Sequence, residues 1–463
     1  MPNTFISPDL IRANFSAAMS AMYQKEVPLY GDLMTLVADV NSETLKAQPA
    51  LAAQLKQTDE LARLDEERHG AIRLGTADEL YMMRRLFAVM GMSPVGYYDL
   101  APAGVPVHST AFRAVHESSL KVSPFRVFTS LLRLELIEDP VLREEAAEIL
   151  EARNIFSDDA IRLIEKSEKE GGLTEKDASL FVDAVLKTFS WHVDSTVTSE
   201  QYEVLHHEHR LIADVVAFKG PHINHLTPRT LDIDKVQALM PSRGITPKAV
   251  IEGPPSRQCP ILLRQTSFKA LSESVRFKDQ MNAGKMGSHT ARFGEIEQRG
   301  VALTPKGRAL YDELLSKTRK EMGGPANEES AGRYYAVLEK HFAAFPDSYQ
   351  SLHDQGLAYF AYYPTESGLK NAGNFGAEST LESLIAEGAI IFEPIVYEDF
   401  LPVSAAGIFQ SNLGEGSQAE YDGLSSQAQF EEALGASVID ELRMYDETSK
   451  RSVEHCLMAL KIG

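Results

Sequence analysis

The chain has 463 residues, of which 44% are hydrophobic and 24% charged, so it has the composition of a globular protein and more length than one compact core usually fills. Its 46 basic and 66 acidic residues give a net charge of −20, which argues against nucleic acid and anionic membranes as partners and means that an anionic substrate needs a local arginine. The two cysteines, Cys259 and Cys456, are too few for a disulfide framework or a thiolate zinc site, as expected in a reducing compartment.

The N-terminal sequence predicts a protein that stays in the cytoplasm. Asp9 and Arg12 interrupt the apolar stretch that a secretory signal needs, and no run of residues approaches the length of a transmembrane helix. We expect one elaborated catalytic domain, residues 1–463, although two closely packed domains also fit this length. The oligomeric state stays open.

The first half of the chain predicts helices, then strands, then helices again. Residues 1–92 are largely amphipathic with helical spacing. Short aromatic and aliphatic segments bounded by Gly and Pro then predict strands at 96–101, 107–115 and 125–137. The highly charged segment 139–188 has helical spacing and predicts a helical insertion between parts of the sheet.

The second half predicts a sheet-rich core with helices, residues 220–463. A helix is expected at 200–218 before it, and helices at 305–322 and 328–344 within it. The predicted strands of this half lie at 248–252, 260–268, 290–298, 358–364, 389–397 and 403–411. The whole pattern indicates an α+β protein with a mixed, largely antiparallel sheet.

Two segments contain histidines that are candidate metal ligands. In LDEERHGAIRLG, a helix would put Arg73 one turn beyond His69 on the same face, although a solvated helix with a charged stripe explains this pattern equally well. In GPHINHLTPRT, an extended chain would point His222 and His225 to opposite faces, so we expect only one of them to bind a metal.

The segment TARFGEIEQRG supplies a candidate carboxylate. Its alternation places Phe293, Glu295, Glu297 and Arg299 on one face of a strand, and two buried carboxylates need a cation nearby unless this face is exposed to solvent. Two histidines and one carboxylate on one face of an iron ion leave room for a bidentate 2-oxo acid and dioxygen. Zinc enzymes use the same ligand types, so the residues alone leave the metal open.

The segment RFGEIEQRG resembles the strand that carries the glutamate ligand in hydroxyphenylpyruvate dioxygenases and hydroxymandelate synthases, with Glu295 at the ligand position. More broadly, the chain is similar to the 2-oxoadipate dioxygenase/decarboxylase family, also called hydroxyglutarate synthases. The similarity is carried by DEERHGAIRLGT, GPHINHLTPR, PILLRQTSFKAL and TARFGEIEQRG, with LPVSAAGIF as a weaker match.

The resemblance implies a vicinal oxygen chelate-like fold of β-α-β-β-β modules with helical additions around a metal site. It also implies three Fe(II) ligands, of which the histidines would contact the substrate as well: His69, His225 and Glu295. Arg73 would clamp a substrate carboxylate, because a guanidinium matches two carboxylate oxygens, and Val403 would add a backbone contact. Three further pocket candidates lie on LLRQTSF: Arg264, Gln265 and Ser267.

The implied reaction converts 2-oxoadipate and dioxygen to carbon dioxide and 2-hydroxyglutarate, the D product by resemblance, in lysine degradation. The substrate would chelate iron through its keto oxygen and adjacent carboxylate, and both oxygen atoms of dioxygen would enter this one substrate. Two alternatives stay open: a hydrolase or lyase that uses the same ligands with another metal, and a binding or regulatory protein without catalysis.

The cluster His206–His209 lacks the spacing of a zinc protease helix, since the position four after His207 is Leu211, and a polar helix face explains it better.

Overall fold

The computed structural model describes residues 4–280, 286–290, 292–324, 326–376, 378–401 and 426–462. Its helices, numbered in chain order, are α1 (Pro8–Glu26), α2 (Pro28–Ala47), α3 (Pro49–Gln57), α4 (Ala77–Val89), α5 (Glu117–Val122), α6 (Pro140–Glu151), α7 (Asp158–Glu170), α8 (Glu175–Phe189), α9 (Ser199–Glu208), α10 (Arg210–Val216), α11 (Ile233–Leu239), α12 (Pro305–Met322), α13 (Ala331–Phe342), α14 (Tyr349–Asp354), α15 (Glu366–Lys370), α16 (Leu381–Ala386), α17 (Gln427–Leu434) and α18 (Glu441–Ala459). Its strands are β1 (Arg68–Leu74), β2 (Ser93–Asp99), β3 (Val107–Arg113), β4 (Arg126–Leu132), β5 (His225–Pro228), β6 (Leu263–Ser267), β7 (Ser272–Val275), β8 (Gly287–Thr290), β9 (Phe293–Arg299), β10 (Phe360–Pro364) and β11 (Ile390–Pro394).

Seven strands form one mixed sheet in the order β2-β3-β4-β1-β5-β9-β6. The pairs β1–β4 and β5–β9 are parallel, and the other neighbours in this sheet are antiparallel. Two small antiparallel pairs, β7–β8 and β10–β11, lie outside it. The prediction of an α+β protein with a mixed, mostly antiparallel sheet and many helices is confirmed.

The centre of the sheet brings distant parts of the chain together. Strand β1 pairs with β5 so that His69 lies opposite Thr227, and β5 pairs with β9 so that His225 lies opposite Phe293. Since alternate residues of a strand share a face, Glu295 lies on the same face as Phe293. The three residues His69, His225 and Glu295 therefore occupy three adjacent strands.

Helix α1 packs against this central part of the sheet. The hydroxyl of Tyr23, which is fully buried, lies 2.7 Å from the carbonyl oxygen of Phe293 and 2.9 Å from that of Asn224. Asn224 directly precedes His225, and Phe293 stands two residues before Glu295. The Tyr23 hydroxyl of α1 thus fixes the backbone next to the candidate ligands, at the starts of β5 and β9.

Most predicted helices have the expected positions. The charged segment 139–188 contains α6, α7 and α8, between β4 and β5, and the helix expected at 305–322 is α12, with the Thr304 side chain as its N-cap. The helix expected at 200–218 is instead divided into α9 and α10. The break falls at His209, whose Nδ1 accepts a hydrogen bond of 3.1 Å from the backbone N–H of Leu211 and so caps α10. Among the described helices, none is long and apolar enough to cross a membrane.

Two predictions of local structure are wrong. The segment around His69 is the central strand β1 and not a helix; it is buried on both faces, so it lacks the polar alternation by which a half-exposed strand is recognised. The segment 248–252 forms no strand and makes only isolated bridges, such as Glu252 with Gln265. The strand expected at 403–411 lies outside the described residues.

Candidate active site

Three buried side chains from the central strands converge on one point. One potential ligand atom from each of His69, His225 and Glu295 lies within 4.8 Å of the other two. The exposed fractions of these residues are 1%, 5% and 0%, respectively. Because β1, β5 and β9 are neighbours in one sheet, the backbone holds the three side chains in register.

The potential ligand atoms of this group lie close together, but one carboxylate oxygen has no hydrogen-bond partner within the described part of the chain. His225 Nε2 lies 3.2 Å from Glu295 Oε2, and His69 Nε2 lies 4.0 Å from Glu295 Oε1. Glu295 Oε2 has no hydrogen-bond partner among the described residues. Buried polar atoms are nearly always paired, so an unpaired carboxylate oxygen that faces two imidazoles is the arrangement expected around a cation.

The electrostatics of the group also fit a cation. Burial, followed by the charge of Glu297, raises the pKa of Glu295 well above its usual range. Burial, followed by the charges of His69 and Arg73, lowers the pKa of His225 well below its usual range, and burial lowers that of His69. All three shifts favour the neutral form of the group concerned, and a divalent ion bound here would reverse the shift of Glu295 because it favours the ionised carboxylate.

The second carboxylate of β9 supports the first histidine. Glu297 Oε2 lies 3.0 Å from His69 Nδ1, so Nδ1 faces a carboxylate while Nε2 faces the candidate metal position. Two hydrogen bonds of 2.8 Å from Arg299 hold the Glu297 carboxylate, and Arg126 lies 3.5 Å away. Although burial acts in the opposite direction, these charges keep the pKa of Glu297 far below its usual range. The sequence had placed Glu297 on this face without giving it a role.

Strand β6 contributes two of its three predicted pocket residues. Gln265 Nε2 donates a hydrogen bond to Glu295 Oε1, and Ser267 lies opposite Glu295 in the β6–β9 pair. Arg264 points to the other face of β6, where its guanidinium donates to both carboxylate oxygens of Asp234, at 2.6 and 2.9 Å. The structure therefore brings Gln265 and Ser267 to the site but not Arg264.

Aromatic rings enclose the histidines. The ring centroids of Phe400 and His69 are 4.9 Å apart in an edge-to-face contact, and those of Phe293 and His225 are 4.8 Å apart. Phe400 is 4% exposed. Val403, expected near the substrate, lies outside the described residues.

Arg73 lies on the same side of β1 as His69, as expected, because positions four apart share a face of a strand just as they nearly do on a helix. Its guanidinium forms an ion pair with Asp214 of α10. Asp214 also lies 2.9 Å from His289 Nε2 and 3.2 Å from His222 Nε2. His222 and His225 thus belong to different groups, and neither Asp214 nor His289 was identified from the sequence.

Two groups of potential metal ligands are present among the described residues, and neither includes any residue of His206–His209. The first is formed by His69, His225 and Glu295, and the second by Asp214, His222 and His289. His209 caps a helix instead, and His207 is exposed. The structural interpretation of the His206–His209 cluster agrees with these contacts.

Known proteins resemble this chain along nearly its whole length. A model of the 2-oxoadipate dioxygenase/decarboxylase family matches residues 15–412. The chain is 62% identical over 461 residues to a 2-oxoadipate dioxygenase/decarboxylase of Pseudomonas putida, covering 100% of this chain and 99% of the relative. It is 56% identical over 451 residues to a protein of the same name from Escherichia coli, covering 97% and 98%.

A solved structure gives the same result. The crystal structure of the hydroxyglutarate synthase in complex with 2-oxoadipate from Pseudomonas putida superposes with a TM-score of 0.93 at 62% sequence identity, covering 99% of this chain and 100% of that one. Together with the family match, this likeness identifies the chain as a member of the 2-oxoadipate dioxygenase/decarboxylase family.

Proposed function

We propose that this chain converts 2-oxoadipate and dioxygen to 2-hydroxyglutarate, as the D enantiomer, and carbon dioxide, with one Fe(II) ion held by His69, His225 and Glu295. The observation that carries the proposal is the convergence of these three buried side chains around Glu295 Oε2, which has no hydrogen-bond partner among the described residues. Membership of the family, and the relative crystallised with 2-oxoadipate, support the substrate. A role of this reaction in lysine degradation is part of the proposal and rests on the family resemblance alone.

The donor set fits iron in this role. Two imidazoles and one carboxylate that occupy a single face leave the opposite positions for exogenous ligands, which is the arrangement of non-haem Fe(II) oxygenases. When bound, Fe(II) would supply the activation of dioxygen and the chelation of the 2-oxo acid. The protein residues would bind and orient the substrate and would exclude water.

Two of the three proposed ligands, His69 and Glu295, have a neighbouring side chain that fixes their orientation. Gln265 holds Oε1 of Glu295 with its amide, and Glu297 faces Nδ1 of His69, which directs Nε2 of that ring to the metal position. A bound metal ion would favour the ionised form of Glu295, because the cation offsets the burial that raises the pKa of this carboxyl. The resulting site has a fixed geometry before the substrate arrives.

Arg73 would bind a carboxylate of the substrate. It lies on the same face of β1 as His69, four residues and about 13 Å further along the strand. After burial and the charge of His69, the charge of Arg73 lowers the pKa of His225, so the guanidinium lies within electrostatic range of the site. A protein with a net charge of −20 repels a dianionic substrate at long range, so a local guanidinium is required for binding.

Water exclusion would come from the aromatic rings around the histidines. Phe400 and Phe293 cover His69 and His225, respectively, and both phenylalanines are buried. An enclosed site strengthens the electrostatic contacts with the substrate and protects reactive intermediates from side reactions.

The arrangement of strands supports a vicinal oxygen chelate-like fold within a single catalytic domain. The elements β1, α4, β2, β3 and β4, with the short helix α5 inserted between β3 and β4, form a β-α-β-β-β unit whose last strand pairs parallel with its first. A second unit begins with β5 and α11 and ends with β9, which again pairs parallel with the first strand of its unit. With β1 and β5 antiparallel at the centre, the two halves are related as a pair of modules.

Oxygen uptake tests the proposed reaction. Protein loaded with iron under anaerobic conditions should consume dioxygen when 2-oxoadipate is added, and carbon dioxide and 2-hydroxyglutarate should form in equal amounts. The Glu295→Ala variant, treated identically, is the control and should show no uptake. An iron-loaded protein that consumes no oxygen with 2-oxoadipate or related 2-oxo acids would favour a hydrolase or lyase that uses the same three ligands.

A further inference from the structure

A second buried group of polar side chains lies behind Arg73. We call the following residues the Asp214 cluster: Arg73, Tyr202, Asp214, His222 and His289. One carboxylate oxygen of Asp214, Oδ2, accepts a hydrogen bond from the Arg73 guanidinium. The other oxygen, Oδ1, lies 2.9 Å from His289 Nε2 and 3.2 Å from His222 Nε2. The far nitrogen of His289, Nδ1, lies 2.8 Å from the hydroxyl of Tyr202.

The Asp214 cluster is built from separate parts of the chain and is enclosed by aromatic rings. Arg73 is on β1, Asp214 on α10 and His289 on β8, and these three residues are 3%, 4% and 3% exposed. The ring of Trp191 stacks on that of His289 at 6.1 Å, and it meets the ring of His222 edge to face at 4.7 Å. Rings on this side leave the imidazoles little freedom to turn away from the carboxylate.

The donor set of Asp214, His222 and His289 could in principle hold a cation, since ligand atoms of the three lie within 4.8 Å of one another. However, the carboxylate already has a buried cationic partner in Arg73. A divalent ion on Oδ1 would lie a few ångströms from the guanidinium in a medium of low dielectric, where repulsion between like charges is strong. A hydrogen bond between His289 Nε2 and this oxygen, with the His222 ring nearby, satisfies the carboxylate without this cost.

We propose that Asp214 is a positioning residue, which holds Arg73 in the orientation that binds the substrate carboxylate remote from the metal, and that His222 and His289 hold Asp214 in turn. The inference rests on the proposed function, because it takes Arg73 as a substrate-binding residue. A long arginine side chain loses considerable conformational freedom when it is ordered, so a guanidinium fixed in advance binds an anion more tightly than a mobile one. The Asp214 cluster would thus make the enzyme selective for 2-oxo acids that carry a second carboxylate.

Substrate discrimination in the variant Asp214→Asn tests the proposal. The probes are 2-oxoadipate and 2-oxohexanoate, which have the same chain length and the same 2-oxo acid group but differ in the second carboxylate. Their dissociation constants are measured by anaerobic calorimetry on the iron-loaded protein. The wild type should prefer 2-oxoadipate, and the variant should lose about tenfold or more of this preference, as expected for a bond to a charged group, while its affinity for 2-oxohexanoate is unchanged.

A matched control removes a different buried ion pair. Glu79 receives two hydrogen bonds from Arg153, at 2.6 and 2.8 Å, and both residues are largely buried. The Glu79→Gln variant should keep the wild-type preference for 2-oxoadipate. If Asp214→Asn is too unstable to study, Tyr202→Phe removes only the hydroxyl that holds His289, and the preference should fall in the same direction by a smaller factor.

A double-mutant cycle separates the two levels of the proposal. In an Arg73→Met background, Asp214→Asn should cost little further preference, since it acts through Arg73. A full additional loss in that background would overturn the positioning role. If Arg73→Met itself keeps the preference, the assignment of Arg73 in the proposed function fails instead.

Metal analysis of the same samples tests the cation alternative. The wild type and Asp214→Asn should each bind one iron per chain after loading and desalting. Two metal ions per wild-type chain that fall to one in the variant would identify the Asp214 cluster as a second metal site and overturn our inference.

Discussion

At the scale of single residues, the two carboxylates of β9, Glu295 and Glu297, have different roles in the site. Glu295 and Glu297 stand two residues apart on the same face of β9, but their surroundings are opposite. Glu295 is buried beside another carboxylate and tends to keep its proton, whereas Glu297 is held as an anion by Arg299. One carboxylate is therefore available to a metal ion, while the other orients the imidazole of His69.

The orienting role of Glu297 predicts a weaker metal site in the variant Glu297→Gln. Without the anion at Nδ1, the ring of His69 is less basic and less firmly held, and loss of such a partner typically costs about 10-fold to 100-fold in metal affinity. Competition with a chelator would measure the iron affinity. Glu67→Gln is a matched control, because Glu67 belongs to the same buried network through Arg126, at 2.8 Å, and is not paired with His69. Equal losses of affinity in the two variants would contradict the prediction.

Replacement of Arg73 should weaken substrate binding and leave iron bound, whereas replacement of a metal ligand should remove the iron. In Arg73→Ala, iron content should stay at the wild-type level while KM for 2-oxoadipate rises by about tenfold or more, since a charge-assisted pair with the substrate is lost. His225→Ala should lose its iron and all turnover. Metal analysis and steady-state oxygen uptake on the two purified variants would distinguish these outcomes, and loss of iron from Arg73→Ala would argue against its role as a substrate clamp.

Sequence reasoning reached the residues of short, local motifs and missed those that depend on contacts between distant segments. His69, Arg73, His225 and Glu295 each lie in a motif that resembles the family. Asp214 and His289 do not, because their roles come from partners 141 and 75 positions away, respectively. The same limit applies to Arg264, whose strand was predicted but whose face was not.

At the scale of secondary structure elements, periodicity was reliable for exposed helices and unreliable for the buried strand. Helix α12 has the predicted bounds because one of its faces is solvated and Thr304 and Pro305 mark its start. Strand β1 was taken for a helix because it is buried on both faces, between β4 and β5. The prediction that His69 and Arg73 share one face nevertheless holds, since both a helix and a strand bring positions four apart to the same side.

Glu441, the first residue of α18, should make the stability of the protein depend on pH. Burial, followed by the charge of Asp399, raises the pKa of Glu441 to about 7. The folded protein thus binds a proton that the unfolded chain releases near pH 4.5, so this group's stabilising contribution is present below about pH 4.5 and is lost as the pH rises to about 7. Replacement of Glu441 by Gln removes the ionisable group and should stabilise the protein at pH 8 relative to wild type, by roughly 3 kcal/mol.

Urea unfolding of the wild type and Glu441→Gln at several pH values would test this prediction. The difference in free energy of unfolding between the two proteins should grow between about pH 5 and pH 7 and then level off. A difference that stays constant across this range would mean that Glu441 ionises in the folded protein as it does in the unfolded chain.

At the scale of the whole molecule, the proposed metal site joins the two halves of the sheet. His69 is on β1 of the first half, and His225 and Glu295 are on β5 and β9 of the second. A metal bound by all three would link segments that are 156 and 226 residues from His69 along the chain, as the sequence positions show. Because an unfolded chain lacks a preformed site, the free energy of metal binding becomes free energy of folding.

Metal loading should therefore raise the thermal stability of the whole molecule. With free Fe(II) at about 100 times its dissociation constant, the expected stabilisation is about 2.7 kcal/mol, which amounts to several degrees in Tm for a protein of this size. Anaerobic calorimetric scans with and without Fe(II) would measure the shift. Arg73→Ala should retain it, because that side chain binds substrate, whereas His225→Ala should lose it. An undiminished shift in His225→Ala would mean that the stabilising ion binds elsewhere, and the ligand set proposed for the metal would then be wrong.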